Sequence, residues 1–377
     1  MLSGGIASID LQNGVGAGPL LTQKRLDKSL GLDWTIERGD KRRLRTDSAS
    51  RNAQAARSDL DEIRLQQLTA AWSGWFDLLA ARERLQHVQA LATSANEMAR
   101  STRLRHQAGD VAEQDATRSE IEARRAAGDQ ALAGLDLQRA WLALQLVTGQ
   151  RVAGGGVPPE LHENWPFRQY GSQKLAINLE AHQMPSSSDG WHDWVEARPD
   201  VRAARERLEA TRVALDATRA LQRADITVGA SVNHFPGTSN RMIGLRAQMP
   251  LQGFLGGYNY EGEVARAQAQ TQQAEEMLDR TRLAARIDLQ RLQQELRTAA
   301  ERVQLYESDV VPKARKVAEQ AEAAYQKGAL PLTDLLDARR TLRATLLDSV
   351  GVRADHARAL GAWTLRTAPQ SVEGAQP

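Results

Sequence analysis

The chain has 377 residues, a formal net charge of +2 and a mean hydropathy of −0.50. Cysteine is absent, which excludes disulfide bonds, thiolate metal sites and cysteine nucleophiles, and the near-neutral charge gives little support for a nucleic-acid partner. The sequence predicts neither a secretion signal at its start nor a transmembrane helix, because no window of about 18 uncharged apolar residues occurs.

Two β-strands are predicted first, over residues 6–15 and 31–37, because apolar and polar residues alternate there with a period of two. A loop over 16–30, which contains glycine, proline and lysine, separates them. This pattern alone leaves open an ordinary half-buried hairpin packed on a soluble core.

A long helix is predicted over 41–108, because this segment lacks proline and places apolar residues at coiled-coil spacing, among them Leu65, Trp72 and Leu79. A turn at Gly109 ends it. A second helix should then run to about 147 and stop at a glycine.

Residues 150–190 are predicted to be a linker, because they are rich in glycine, proline and serine. Three histidines lie in or beside it: His162, His182 and His192. Metal binding is one interpretation, but irregular spacing without cysteine favours surface histidines.

The second half repeats this order of elements. We predict a helix at 192–223, strands at 226–233 and 243–251, helices at 258–326 and 332–365, and a disordered tail at 367–377. Each strand has about the ten residues that a tilted membrane strand needs.

A coiled-coil seam is predicted in the third long helix, where apolar residues recur every seven positions. The seam comprises Leu289, Leu296, Val303, Val310, Val317 and Ala324, with Leu292, Ala299 and Tyr306 in the companion positions. Pro312 lies inside it and should kink or break the helix.

The glycine turns form an internal repeat with an offset of 219 positions, from Gly109 to Gly328 and from Asp115 to Asp334. The repeat predicts four parts. They are a first repeat at 1–149, a linker at 150–190, a second repeat at 191–366 and a tail at 367–377.

This order of elements, with the segments that carry it, resembles the TolC-like outer-membrane efflux protein family. The matching segments are Arg198-Pro-Asp-Val-Arg-Ala-Ala, Met249-Pro-Leu, Val311-Pro-Lys-Ala, Ala323-Ala-Tyr-Gln-Lys-Gly and Asp334-Leu-Leu-Asp337-Ala-Arg-Arg. The segment Ile36-Glu-Arg-Gly-Asp-Lys-Arg is similar to the heavy-metal branch. Since the family begins with a secretion signal and a further helix, we interpret the chain as N-terminally truncated.

The resemblance implies an α+β, mainly α fold. Long antiparallel coiled-coil helices would form a periplasmic tunnel, and two β-hairpins would give four strands to a trimeric transmembrane β-barrel. The implied protein is a passive outer-membrane channel in a Gram-negative bacterium, possessing no cofactor. The implied partners are two further copies of the chain, outer-membrane lipid, a periplasmic adaptor (membrane fusion protein) and an inner-membrane efflux pump. Heavy-metal cations are the implied substrates.

By match to the family's motif, Asp334 and Asp337 would form acidic rings at the periplasmic pore entrance and favour cations. Gly109 and Asp115 would form the equivalent tip of the first repeat, with Gly328 at the second. The alternative is a solvated helix start, where carboxylates are favoured by the helix dipole.

A basic run at the start of the first long helix, Lys41 to Arg43, could meet lipid headgroups or acidic groups where strands give way to helix. A solvated charge run is the alternative. Trp34 could be a membrane-interface residue, whereas Trp72 and Trp75 are expected to pack between helices.

An enzyme is not indicated, because the sequence contains no phosphate-binding glycine loop, nucleophile elbow or catalytic cluster of histidine and carboxylate residues. The alternative function is a soluble or periplasmic coiled-coil scaffold or adaptor. An adaptor should have one helical hairpin between all-β domains, whereas this chain predicts two strand pairs and two helix pairs.

Overall fold

The computed structural model describes residues 2–7, 27–149, 165, 188–235, 239–250 and 258–367. The strands in these ranges are β1 (Leu2–Ala7), β2 (Asp27–Ile36), β3 (Ile226–Phe235) and β4 (Ser239–Gln248). The α-helices are α1 (Lys41–Gln107), α2 (Glu113–Thr148), α3 (Ser188–Ala197), α4 (Pro199–Ala220), α5 (Glu261–Leu305), α6 (Val311–Gln326) and α7 (Leu332–Thr367). The chain divides into two compact units: unit 1 is Met1–Asp59 with Pro199–Arg282, and unit 2 is Leu60–Arg198 with Leu283–Pro377.

Unit 1 contains a four-stranded antiparallel sheet in the order β1-β2-β3-β4. Its central pair joins the two halves of the sequence, since Leu32 of β2 lies opposite Ala230 of β3. Side chains of successive residues point to opposite faces of a strand, so the alternation predicted from sequence gives this sheet one apolar and one polar face.

The first hairpin differs from its prediction. The structure places β1 at Leu2–Ala7 rather than 6–15, and β2 begins at Asp27, inside the predicted loop. Pairing of Leu2 with Leu32 explains the shift, because the sequence Ser-Gly-Gly in β1 has no alternation of its own and forms a strand through its partner. Residues 8–15 lie outside the described ranges.

The sheet meets α1 in unit 1 at a partly buried ion pair. Lys41 is 6% exposed, and its Nζ donates to Asp225 Oδ1 and to the Arg223 carbonyl oxygen, both at 2.7 Å. Burial acts to raise the pKa of Asp225, but hydrogen bonds from Lys41 and the Arg38 backbone N–H outweigh it and lower that pKa. The predicted acidic partner of Lys41 is therefore present, while Arg42 and Arg43 are exposed.

The helices follow their predicted boundaries closely, except that two predicted helices, at 192–223 and 258–326, are each divided in two. The predicted helix at 192–223 is two helices, α3 and α4, separated at Arg198. Pro199 explains the break, because proline has no N–H to continue a helix but is favoured at the first position of a new one.

The predicted seam holds as far as Val303 and is wrong beyond it. Leu289, Leu296 and Val303 are buried, whereas Val317 is 51% exposed and its neighbour Ala318 is buried instead. A π-helical turn at Tyr306–Val310 explains this shift of one position. It lies directly before Pro312, whose ring cannot fit a regular α-helix, and a π turn inserts one residue into the helix.

Unit 2 packs its helices through small aromatic and aliphatic clusters. Phe76, Leu79 and Ala80 of α1 pack with Val350, Ala354 and Ala357 of α7 and with Trp165, and Leu292 and Leu296 of α5 pack with Trp363 of α7. The predicted packing roles of two α1 tryptophans are confirmed. Trp72 donates to the Ala357 carbonyl oxygen at 2.8 Å, and Trp75 contacts two of the clusters.

Candidate functional site

The two glycine turns of unit 2 have the same backbone geometry. Gly109 and Gly328 have φ values of 82° and 72°, in the left-handed region that favours glycine. Their N–H groups bond the carbonyls of His106 and Tyr325, both at 2.9 Å. The next residue closes a second bond in each turn, from Asp110 N to Arg105 O at 2.8 Å and from Ala329 N to Ala324 O at 2.9 Å. These paired bonds form the glycine C-cap that ends many helices.

The helix that follows each turn starts in the same way. Ala116 N bonds Ala112 O, and Leu335 N bonds Pro331 O, each at 3.4 Å. These positions keep the offset of 219 seen in the sequence. The local geometry at the turns is thus duplicated.

The predicted entrance carboxylates lie in the first turns of α7. Asp334 is exposed and accepts a hydrogen bond from the Thr333 hydroxyl at 3.2 Å. Asp337 has a side chain that is 71% exposed and pairs with Arg340 at 3.2 Å. Residues three apart share one face of a helix, so the two carboxylates are neighbours there.

The first-half turn has a different charge pattern. Asp115 is half-buried in the first turn of α2, and exposed Arg118 takes the position that corresponds to Asp337. Asp115 and Asp334 correspond in the repeat, but only the second half adds a carboxylate three residues later.

Charged pairs tie each turn's two helices together, and their polarity is inverted between the copies. Arg103 of α1 donates to Glu120 of α2 at 2.8 Å, and Arg339 of α7 donates to Glu322 of α6 at 3.0 Å. With the repeat offset of 219 positions, Arg103 corresponds to Glu322 and Glu120 corresponds to Arg339, so acid and base are exchanged. Sequence reasoning missed these pairs, although the offset could have revealed them.

Further contacts join the two hairpins, α1/α2 and α6/α7, within unit 2. Arg340 pairs with Glu122, and Arg343 pairs with Asp129. The Arg105 guanidinium lies 5.7 Å from the centre of the Tyr325 ring. The two duplicated turns are thus held side by side, with Arg340 also bonded to Asp337.

No metal site is found among the described residues, where no group of three or more histidine or acidic side chains could hold an ion. His192 is exposed on α3, while His162 and His182 lie outside the described ranges. Among the helices in those ranges, none combines the length and apolar content needed to cross a bilayer.

The sheet of unit 1 exposes its apolar face. The side chains on that face that are described include Leu30, Leu32, Trp34, Ile36, Val228, Val232, Ile243 and Leu245, and all are exposed. Trp34 is 69% exposed and Leu245 is 85% exposed. A contiguous apolar surface of this kind usually marks contact with another apolar medium or partner.

Residues 192–365 match the model of the outer membrane efflux protein family. The chain is also similar to the cobalt-zinc-cadmium resistance protein CzcC of Cupriavidus metallidurans, with 24% identity over 322 residues, which are 85% of this chain and 72% of that protein.

Solved structures share its fold. The outer-membrane protein VceC of Vibrio cholerae matches with a TM-score of 0.74 and 18% identity, over 98% of this chain and 87% of that one. CusC matches with a TM-score of 0.79 and 16% identity, over 97% of this chain and 82% of that one. The mainly helical fold with a small antiparallel sheet, the outer-membrane location and the efflux role are thus confirmed. Members of the family are channels rather than enzymes.

Replacement of either turn glycine by alanine should destabilise the efflux protein by about 1–2 kcal/mol, because a side chain disfavours positive φ by that amount. Nothing lies within 4 Å of a Cβ at Gly109 or Gly328, so the cost is one of backbone conformation alone. Thermal unfolding in detergent measures it. Gly128→Ala is the matched control, since this glycine lies inside α2 with equal space and no positive φ. An equal loss in the control would contradict the explanation.

Proposed function

We propose that three copies of this efflux protein assemble into a passive exit duct in the outer membrane. The duct receives substrates from an inner-membrane pump through a periplasmic adaptor. The sheet is the observation that supports this proposal, because one face is apolar and exposed while the other is polar. Its outer strands, β1 and β4, each pair with a single neighbour in the described chain.

Such a sheet has two open edges, and unpaired backbone N–H and C=O groups are costly in lipid. Edge pairing between three copies satisfies these groups and closes the sheet. The apolar face then contacts lipid and the polar face lines a water-filled lumen. Trp34, near the end of β2 next to α1, is placed at the membrane interface in this arrangement.

Heavy-metal cations are the proposed substrate class. The relative CzcC is named for resistance to cobalt, zinc and cadmium, and the segment from Ile36 to Arg42 is similar to that branch. We propose no catalytic step and no resident cofactor for the chain itself.

The pore entrance is proposed to lie at the Gly328 turn, with Asp334 and Asp337 facing the lumen. Their exposure and shared helix face support the assignment. The matching turn geometry at Gly109 and Gly328 also supports the division into two repeats, 1–149 and 191–366.

The purified protein, extracted from outer membranes in detergent, should be a trimer and should conduct ions in a planar lipid bilayer. Light scattering gives the mass and single-channel recording gives the conductance. A soluble monomer without conductance would instead support the scaffold alternative.

Asp334→Asn with Asp337→Asn should weaken block of that conductance by trivalent cations by about tenfold, because acidic rings concentrate multivalent cations. The measurement is the half-blocking concentration added from the periplasmic side. Asp279→Asn is the control, because it removes an exposed carboxylate from α5 that belongs to unit 1. Unchanged block in the double variant would remove the entrance assignment.

A further inference from the structure

One row of the sheet in unit 1 carries a charged pair across three strands. The register places Asp33 of β2, Gly229 of β3 and Arg246 of β4 side by side. The Arg246 guanidinium donates to Asp33 Oδ1 at 2.6 Å, so the pair spans the middle strand.

The middle glycine makes this contact possible. A Cβ at Gly229 would overlap Asp33 Oδ1 and would lie 3.6 Å from Arg246 Nε. The two charged side chains therefore meet over the bare backbone of β3, which is a site where a strand glycine allows close approach.

The pair differs in charge from the other described side chains of its face. Of the described side chains on the polar face of β2, β3 and β4, Asp33 and Arg246 are the only ionisable ones, and the others are hydroxyl, amide, methionine or glycine positions. Arg246 is 64% exposed, so its charge acts on the space in front of the sheet.

We propose that Asp33 and Arg246 determine the ion selectivity of the duct at the level of the sheet. This rests on the proposed function, in which the polar face lines the lumen. Three copies give a ring of paired opposite charges with no net charge. Small cations and anions therefore pass this level with little preference, and a metal cation is not retained there.

This arrangement predicts that removal of either charge changes the K⁺/Cl⁻ permeability ratio in opposite directions. Arg246→Gln leaves three carboxylates in the lumen and should raise the K⁺/Cl⁻ permeability ratio at least about twofold, whereas Asp33→Asn leaves three guanidiniums and should lower it by a similar factor. The double variant Asp33→Asn/Arg246→Gln carries no net charge and should return to the wild-type ratio.

The test is the reversal potential of single channels under a KCl gradient, repeated at low salt. The Debye length grows from about 10 Å at 0.1 M to about 30 Å at 0.01 M, so both shifts should increase as the salt is diluted. Gly244→Ala is the control for a mere disturbance of this sheet, since a Cβ there meets Ser231 Oγ rather than either charge. It should leave the ratio unchanged.

Each possible result either supports or overturns the proposed role of Asp33 and Arg246. Opposite shifts that cancel in the double variant support the proposal. Wild-type channels whose ratio does not respond to either single substitution, or shifts of one sign in both, would overturn it while leaving the duct intact. A wild-type protein that conducts no ions overturns the proposed function and this inference together.

Discussion

Gly361→Ala should destabilise the helical unit by roughly 1–3 kcal/mol, although alanine favours a helix over glycine by about 1 kcal/mol. Gly361 is buried in α7 with the Trp72 indole of α1 lying across it. A Cβ at this position would overlap the indole Nε1 and Cδ1, and would lie 2.6 Å from Cε2.

The indole cannot move aside without a further loss of stability. It donates to the Ala357 carbonyl oxygen at 2.8 Å, and its ring centre lies 5.2 Å from that of Phe76. Displacement leaves that carbonyl without this bond, which costs about 1 kcal/mol, and opens packing between two helices. The clash therefore outweighs the gain in helix propensity.

Denaturant unfolding of the detergent-solubilised protein gives the free energy, with two comparisons. Gly134→Ala in α2 has nothing within 4 Å of its new Cβ and should stabilise by up to about 1 kcal/mol. Trp72→Ala removes the indole that overlaps, so the free energy lost by the double variant with Gly361→Ala should be smaller than the sum of the losses in the two single variants. Additive losses would show that the overlap is not the cause.

Acidification from pH 7 to pH 4 should cost the wild type about 3 kcal/mol more stability than His356→Gln. His356 is 2% exposed in α7, and burial lowers its pKa from 6.5 to about 4. Below pH 6.5 the folded state then binds fewer protons than the unfolded state. The free energy of unfolding therefore decreases as the pH is lowered to about 4. One pH unit of difference corresponds to 1.36 kcal/mol, which gives about 3 kcal/mol over this range.

Other groups titrate in the same direction, so the comparison with the variant is essential. Burial acts to raise the pKa of Glu83, but its bonds with His87 and Arg353 lower it, and its stabilisation is also lost in acid. That loss is common to wild type and variant and cancels in their difference. His192→Gln replaces an exposed histidine and should retain the full acid sensitivity. Equal pH profiles for wild type and His356→Gln would refute the explanation.

Local patterns predicted most of the elements, because their causes lie within a few residues. Alternation in 226–233 and 243–251 predicted β3 and β4, and the glycine turns predicted where α1 and α6 end. The seam as far as Val303 was also predictable from its seven-residue spacing.

The predictions failed where contacts between residues far apart in the sequence determine the local structure. Strand β1 depends on its pairing with β2, and the shift from Val317 to Ala318 depends on how the chain accommodates Pro312. The bond from Lys41 to Asp225 joins residues that are 184 positions apart. The contribution of Asp334 and Asp337 to a pore entrance stays a prediction.

The inverted pairs beside the glycine turns carry a consequence for folding. A duplicated chain risks joining a helix of one hairpin to the matching helix of the other. If α1 docked on α7, Arg103 would meet Arg339, and if α6 docked on α2, Glu322 would meet Glu120. Exposed pairs of this kind add little stability, at most about 1 kcal/mol each. They instead discriminate between correct and incorrect helix pairs, because like charges repel in an incorrect pair and opposite charges attract in the correct one. The exchange of acid and base between the copies therefore favours the pairing of each helix with the other helix of its own hairpin.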